Sequence, residues 1–332
     1  MGSLTVSAAA MGSSAPPGAS TAVVTLASDA RLGHVRNQQR MLGLVAPEVL
    51  RVVVWLDVAA PPAVHEFGGA LLVHVPPGAH GLRLAEGRNR GAAAALGAGA
   101  GILVFLDADC LPGAALVPLY ERAARAHPEA LLCGPVTYLP EGFALPAAVG
   151  PAAAGPATAS AAAVGPGPHP AAAALAEATA PHPARPAPPE GSTVVAAASE
   201  YTLFWSLSFA VTAASWRTLG GFDTGYEGYG GEDTDFAFTA RAAGAPLVWV
   251  GGADAYHQHH PTSSPPWQHL DDILRNGARF ASRWETWPME GWLRAFADAG
   301  AIEWHAGSWR RVSEAAPAPV PAPAPAPAPA PG

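Results

Sequence analysis

Ile102-Leu-Val-Phe-Leu106-Asp107-Ala108-Asp109 is the stretch whose reading decides the fold. Five apolar residues in succession describe a strand buried on both faces, and the two aspartates place carboxylates at its C-terminal end. In open sheets with parallel strands, ligands bind beyond such ends. Working upstream, Ala22–Leu26 and Val52–Leu56 read as further buried strands, the second ending at Asp57, and Leu71–Val75 as a short third. Helical character fills the intervals at Arg36–Leu44 and Leu84–Gly99. The alternation predicts an α/β chain with a Rossmann-like, mixed and mainly parallel sheet covered by helices, in a single domain.

Downstream, Phe204–Thr212 reads as a strand, Ala214–Leu219 and Thr234–Ala243 as helices, and Leu247–Val250 as another strand. Leu270–Trp284 and Pro288–Ala299 are expected as two C-terminal helices, since Pro288 suits a first turn and Gly300 a helix end. Residues 1–20 are small and polar, and the Ala-Pro run of 313–332 cannot build a core; both are expected to be disordered. The Ala/Pro/Gly-rich stretch 146–189 is expected as a loop insertion in a domain spanning 21–312.

Composition narrows the function. The 332 residues carry a net charge of −8, and all 18 basic residues are arginine. Without lysine there is no phosphate-loop lysine and no Schiff-base enzyme. A negative chain without basic runs is a poor nucleic-acid binder. Cys110 and Cys133 are too few for a disulfide framework or a cysteine zinc site. With no convincing signal peptide and no stretch apolar enough to span a bilayer, a cytoplasmic protein is expected, with room for peripheral association with a membrane-borne substrate.

A second acidic cluster lies in Gly220-Gly-Phe-Asp223-Thr-Gly-Tyr-Glu-Gly-Tyr229-Gly230-Gly231-Glu232-Asp233-Thr-Asp235. Acidic residues opening the helix from Thr234 are also what a helix dipole favours, and Asp235 reads as structural. Hard cations such as Mg²⁺ or Mn²⁺ favour carboxylate oxygens, so Asp107 and Asp109 form a candidate metal end of the site. Histidines follow in Ala255-Tyr-His257-Gln-His259-His260. In an extended chain His257 and His259 share a face and His260 points away.

Leu103–Asp109, preceded by Glu86-Gly-Arg88-Asn-Arg-Gly91, resembles the nucleotide-sugar half of family 2 GT-A glycosyltransferases. Gly220–Asp223 through Gly230–Asp233 resembles the C-terminal module of β-1,4-galactosyltransferases. The resemblance covers roughly Val23 to Arg279, with a nucleotide-sugar half at 21–140 and an acceptor and catalytic half at 197–312. It implies a metal-dependent inverting hexosyltransferase that moves a hexose or N-acetylhexosamine from a nucleotide sugar, UDP-linked in the family, to a carbohydrate or glycolipid hydroxyl. By the same resemblance Asp109 and His257, with His259 as runner-up, hold Mn²⁺ or Mg²⁺. Asp57, Arg88 and Asp107 bind donor, Tyr229, Gly230, Gly231 and Glu232 meet acceptor, and Asp233 is the base. Tyr229 stands where the family has tryptophan, which leaves acceptor identity open. Two rival readings are a retaining GT-A transferase and a noncatalytic nucleotide-sugar binding protein.

Overall fold

Strand β1 (Thr21–Ala27) is buried along its whole length, as its apolar run requires. It opens the part of the chain that the structure, a computed structural model, describes: residues 21–145, 169–178 and 180–312. The tails 1–20 and 313–332 therefore lie outside the described residues, as does 146–168 of the Ala/Pro-rich stretch. After β1 come α1 (Leu32–Val45), β2 (Leu50–Trp55), β3 (Leu71–His74), α2 (Leu84–Gly97) and β4 (Ile102–Leu106). β1 pairs in parallel with β2 and β4, and β2 with β3. The aspartates after β4 thus stand at the carboxyl edge of a parallel sheet.

Helix α2 lies unusually close to that sheet because two of its residues have no side chain. A Cβ on Gly91 would sit 2.4 Å from Val24 Cγ1 and 2.9 Å from Val54 Cγ2, and one on Gly87 would meet Leu26 and Leu56 at 3.0 Å. This approach carries the neighbouring Arg88 to the sheet edge. Gly91→Ala gains helix propensity but forces a methyl into stiff, β-branched strand neighbours. The clash wins: denaturant unfolding is expected to show a loss of about 1–3 kcal/mol.

Past β4 the chain forms β5 (Cys110–Pro112), α3 (Leu116–Ala126), β6 (Leu131–Cys133) and β7 (Val136–Tyr138) in a stretch that the sequence reading leaves unassigned. Three-residue strands are too short to display a periodicity of two. Within the stretch expected as a loop insertion, α4 (Pro170–Ala176) is a packed helix. Pro170 takes the first turn, His169 Nδ1 accepts from the Ala171 N–H at 3.2 Å, and Leu175 is fully buried beside Met41 and Leu111.

β8 (Thr193–Val195), β9 (Ser208–Thr212), α5 (Ala213–Leu219), α6 (Glu232–Ala242) and β10 (Leu247–Val250) complete the large sheet, whose order is β3-β2-β1-β4-β9-β6-β10-β8. β9 runs antiparallel to both β4 and β6, which makes the sheet mixed. The strand expected from Phe204 begins only at Ser208, because residues 198–203 wind into a 3₁₀ turn. One face of the sheet is covered by a stack of rings. Phe105 lies 4.5 Å from Phe209, and Phe222 4.2 Å from Phe236.

A smaller sheet crosses the carboxyl edge. Its middle strand, β11 (Ala255–His257), is antiparallel to β5 and parallel to β7, with His257 in register with Cys110 and Tyr138. The chain closes with α7 (Leu270–Trp284), α8 (Glu290–Asp298) and the hairpin of β12 (Ile302–His305) and β13 (Ser308–Arg311). No helix among the described residues is long and apolar enough to cross a membrane.

Candidate active site

The turn after β4 is held from below by a buried amide. Gln38 Nε2 donates to the carbonyls of Asp107 (2.6 Å) and Cys110 (2.9 Å), while its Oε1 accepts the Thr25 hydroxyl at 2.7 Å. The Cys110 N–H closes the turn on the Asp107 carbonyl, and Asp107 N–H donates to Leu207. The two aspartates are therefore fixed by backbone bonds, and they diverge as alternate positions predict.

Asp109 meets histidines. Its Oδ1 lies 3.6 Å from His257 Nε2, its Oδ2 lies 3.2 Å from His260 Nε2, and Arg31 Nε is 3.4 Å from Oδ2. Burial would raise the Asp109 pKa. The hydrogen bond from His260 and the charges of both histidines and Arg31 overcome that and hold it below the usual value. Burial lowers the His257 pKa despite Asp109, which favours the neutral imidazole whose nitrogen lone pair a cation needs. Ligand atoms of Asp109, His257 and His260 all lie within 4.8 Å of one another. One carboxylate with two imidazole nitrogens suits Mn²⁺ better than Mg²⁺, which prefers an all-oxygen octahedron.

His260, not His259, completes this group. The expectation of alternation assumed that the strand continues, but β11 ends at His257. Gln258 is drawn toward α1, donating to the His34 carbonyl and accepting from Asn37 Nδ2, and the chain turns there. His259 is left exposed, with its carbonyl 3.4 Å from His34 Nε2.

Arg88 forms the centre of the site. It is buried, with Nη2 3.3 Å from Asp107 Oδ1 and Nη1 3.1 Å from Glu232 Oε1. One guanidinium therefore ties the β4 edge to the start of α6. Desolvation raises the Asp107 pKa to about 6 in spite of Arg88. Asp57, expected in the same group, sits elsewhere on the edge. Its carboxylate accepts the Asp29 N–H and braces the loop that carries Arg31, and it is absent from the cleft walls.

Helix α6 begins two residues earlier than the sequence predicts, so Glu232 and Asp233 occupy its first turn. Gly230 and Gly231 both have φ +89, a conformation that L side chains rarely adopt, and this lets the loop pass into the helix at a sharp angle. Asp233 is half-buried, with Oδ1 accepting from Thr234 N–H at 2.7 Å. Burial and the adjacent Glu232 charge push its pKa up to about 7, against the Thr234 bond and Arg88. Glu232 is spent on Arg88, whereas Asp233 has no cation partner among its hydrogen bonds. Asp235 is buried and engaged by Arg283, Trp284 and Tyr226.

A cleft of about 750 Å³ runs along these residues. Arg88, Asp107, Tyr138, Trp205, the run from Tyr229 to Asp233, and Trp287, Met289 and Trp292 are among the residues that line it. The Tyr229 ring stacks on His269 with centroids 4.3 Å apart, so it is held in place by packing. Asn276, 1 % exposed, anchors the glycine-rich loop through Nδ2, which donates to the carbonyls of Glu227 (3.0 Å), Tyr229 (3.1 Å) and Gly230 (2.9 Å). Asp223 braces the same loop through a two-pronged pair with Arg279. Asn276→Ala would strand those carbonyls, and we expect a loss of about 1–3 kcal/mol in denaturant unfolding.

Arg31 and His260 are residues that sequence reading does not bring to the site, and it leaves Asn276 without a role. Arg31 had a usable signal, since it follows the carboxyl end of β1 as the aspartates follow β4. Asn276 had none, because its role depends on which helix packs under the loop.

Residues 191–260 match the family model described as the N-terminal domain of galactosyltransferase. No curated protein sequence matches the chain. Among solved structures, GalNAc-T7 with UDP, GalNAc and Mn²⁺ superposes with TM-score 0.50 at 14% identity, over 80% of this chain and 48% of that one. TarS of S. aureus gives TM-score 0.49 at 11% identity, over 84% and 42%. The chain thus spans about half the length of these proteins or less. It has the GT-A glycosyltransferase fold, with a galactosyltransferase-like segment across residues 191–260.

Proposed function

We propose that this chain is a metal-dependent, inverting glycosyltransferase that moves a hexose or N-acetylhexosamine from a UDP-sugar to a carbohydrate or glycolipid hydroxyl. The observation that carries this reading is Asp233, a carboxylate held near neutrality in the wall of a cleft that also contains Arg88 and Asp107. A general base needs a pKa near the working pH and a position facing the reacting hydroxyl. Residues 21–312 act in this reading as one catalytic domain.

Asp109, His257 and His260 would hold the cation, and Arg31 at their rim would turn from Asp109 to the donor diphosphate. When bound, the cation offsets charge growing on the leaving diphosphate. Asp107 and Arg88 orient the donor at the β4 edge. Asp233 takes the proton from the acceptor hydroxyl as its oxygen bonds to the anomeric carbon. The bond from that carbon to the diphosphate oxygen breaks, and the diphosphate leaves with the electron pair. Attack from the opposite face inverts the centre. Tyr229 and the tryptophans that line the cleft offer flat faces to an acceptor ring.

Thermal shift across a panel of nucleotide sugars with Mn²⁺ tests donor binding, since a ligand that binds only the native state raises Tm. UDP-sugars are expected to stabilise. NMR of the product should show inversion, and retention would remove Asp233 from the role of base. Binding without transfer to any acceptor would favour a noncatalytic protein.

A further inference from the structure

The two buried arginines among the described residues differ in one respect. Arg88 lies between two carboxylates, whereas Nε, Nη1 and Nη2 of Arg185 meet no carboxylate, carbonyl or hydroxyl oxygen among the described residues. Arg185 is nevertheless only 3 % exposed. Its guanidinium lies over two indoles, with Cζ 5.7 Å from the Trp205 centroid and 5.5 Å from that of Trp249. Aromatic faces attract a cation but do not replace a counter-charge for a desolvated guanidinium. The Cys133 thiol lies within reach of this guanidinium, whose charge and hydrogen bond pull its pKa down, but burial wins and pushes it up to about 12, so the thiol stays protonated and supplies no counter-charge. Little in the rest of the chain could supply one. Residues outside the described set include a single acidic side chain, Glu314, in the Ala-Pro tail.

The position of Arg185 relative to the cleft gives this unpaired charge a use. Trp205 lines the same cleft as Tyr138 and Asp107. Arg185 therefore stands one side chain behind the wall. His182 edges both aromatic neighbours, 5.5 Å from Trp205 and 5.3 Å from Tyr138, which fixes this wall as a packed aromatic row. The planar guanidinium fork matches the two oxygens of a carboxylate or the face of a sulfate or phosphate ester.

We propose that Arg185 and Trp205 form a concealed cationic subsite that receives an oxyanion carried on a sugar substrate, such as the carboxylate of a uronic acid. The inference rests on the sugar-transfer reading of the cleft. Because Arg185 is shielded, the Trp205 indole swings aside when the oxyanion docks. The subsite favours acidic over neutral sugars, and it carries an unpaired charge in the ligand-free protein as the cost of that selectivity.

The test uses the full chain with Mn²⁺ and titration calorimetry. UDP-glucuronic acid against UDP-glucose probes a donor oxyanion, 4-nitrophenyl β-glucuronide against the β-glucoside in the presence of UDP probes an acceptor oxyanion, and UDP alone is the control. Wild type is expected to prefer the acidic member of one pair by about 10- to 100-fold. Arg185→Met should erase that preference, keep the affinity for UDP, and leave the ligand-free Tm equal to or above wild type, an effect that a purely structural arginine would not produce. The proposal is overturned if wild type discriminates in neither pair, if Arg185→Met keeps the preference, or if that variant loses UDP affinity, since the anion served would then be the diphosphate. The wild-type comparison decides even where the variant fails to fold. Failure of wild type to bind UDP would instead defeat the sugar-transfer reading itself.

Discussion

Asp233→Asn is expected to lower kcat by about 10²- to 10⁴-fold, the usual contribution of a general base, while donor binding measured by calorimetry is retained. The pH profile should identify the group. Burial first, and then the Glu232 charge, raise the Asp233 pKa from its ordinary 3.8 to about 7. The wild-type rate should therefore climb as pH rises through about 7, and the residual activity of Asp233→Asn should lack that limb. Stability should move the other way. A carboxyl whose folded pKa is raised stabilises the native state while protonated, and that contribution disappears as pH rises through the folded value. The amide introduced by Asp233→Asn has no ionised form, so the Tm advantage of this variant is expected to grow between about pH 4 and 7 and to vanish below pH 4. An unchanged kcat, or an advantage that appears only in acid, would sink the assignment.

The second large effect concerns the histidines. His257→Ala and His260→Ala should each weaken Mn²⁺ binding by more than the about 10- to 100-fold that removing a mere supporting residue costs. His259→Ala should bind Mn²⁺ as wild type does, because that side chain is exposed and outside the group. Calorimetry of Mn²⁺ on the protein without nucleotide reads this directly, and the Mn²⁺-dependent rise in Tm gives an independent measure. Mg²⁺ should bind more weakly, since two of the three protein ligands are nitrogens. A loss for His259→Ala with none for His260→Ala would return the site to the alternating-strand arrangement.

That contrast also shows what the sequence could and could not convey. The parallel half of the sheet was legible because β1, β2 and β4 are long enough to show continuous apolar runs. Arg88, Asp107, Glu232 and Asp233 were legible as a group through the motifs that carry them, and the structure places them along one cleft. His260 was not, since its direction depends on where β11 stops, and Gln258 sets that by bonding to α1 far upstream. Asp57 takes its donor role from the resemblance alone; in the structure one of its carboxylate oxygens accepts the Asp29 N–H. Helix α4 was hidden by composition: Ala and Pro read as a loop, although Pro170 in the first turn with alanines behind it is a sound helix start.

Arg88 has one further consequence, which concerns how variants combine. Its guanidinium is shared between Asp107 and Glu232. Removing either carboxylate changes the charge that the arginine offers to the other, so the two substitutions act on a common partner. Free energies of Asp107→Asn and Glu232→Gln therefore should not add, and the shortfall in the double variant should disappear when Arg88 is replaced by methionine. A thermodynamic cycle over these three positions would measure, as a single coupling energy, how firmly the β4 edge and the start of α6 are joined.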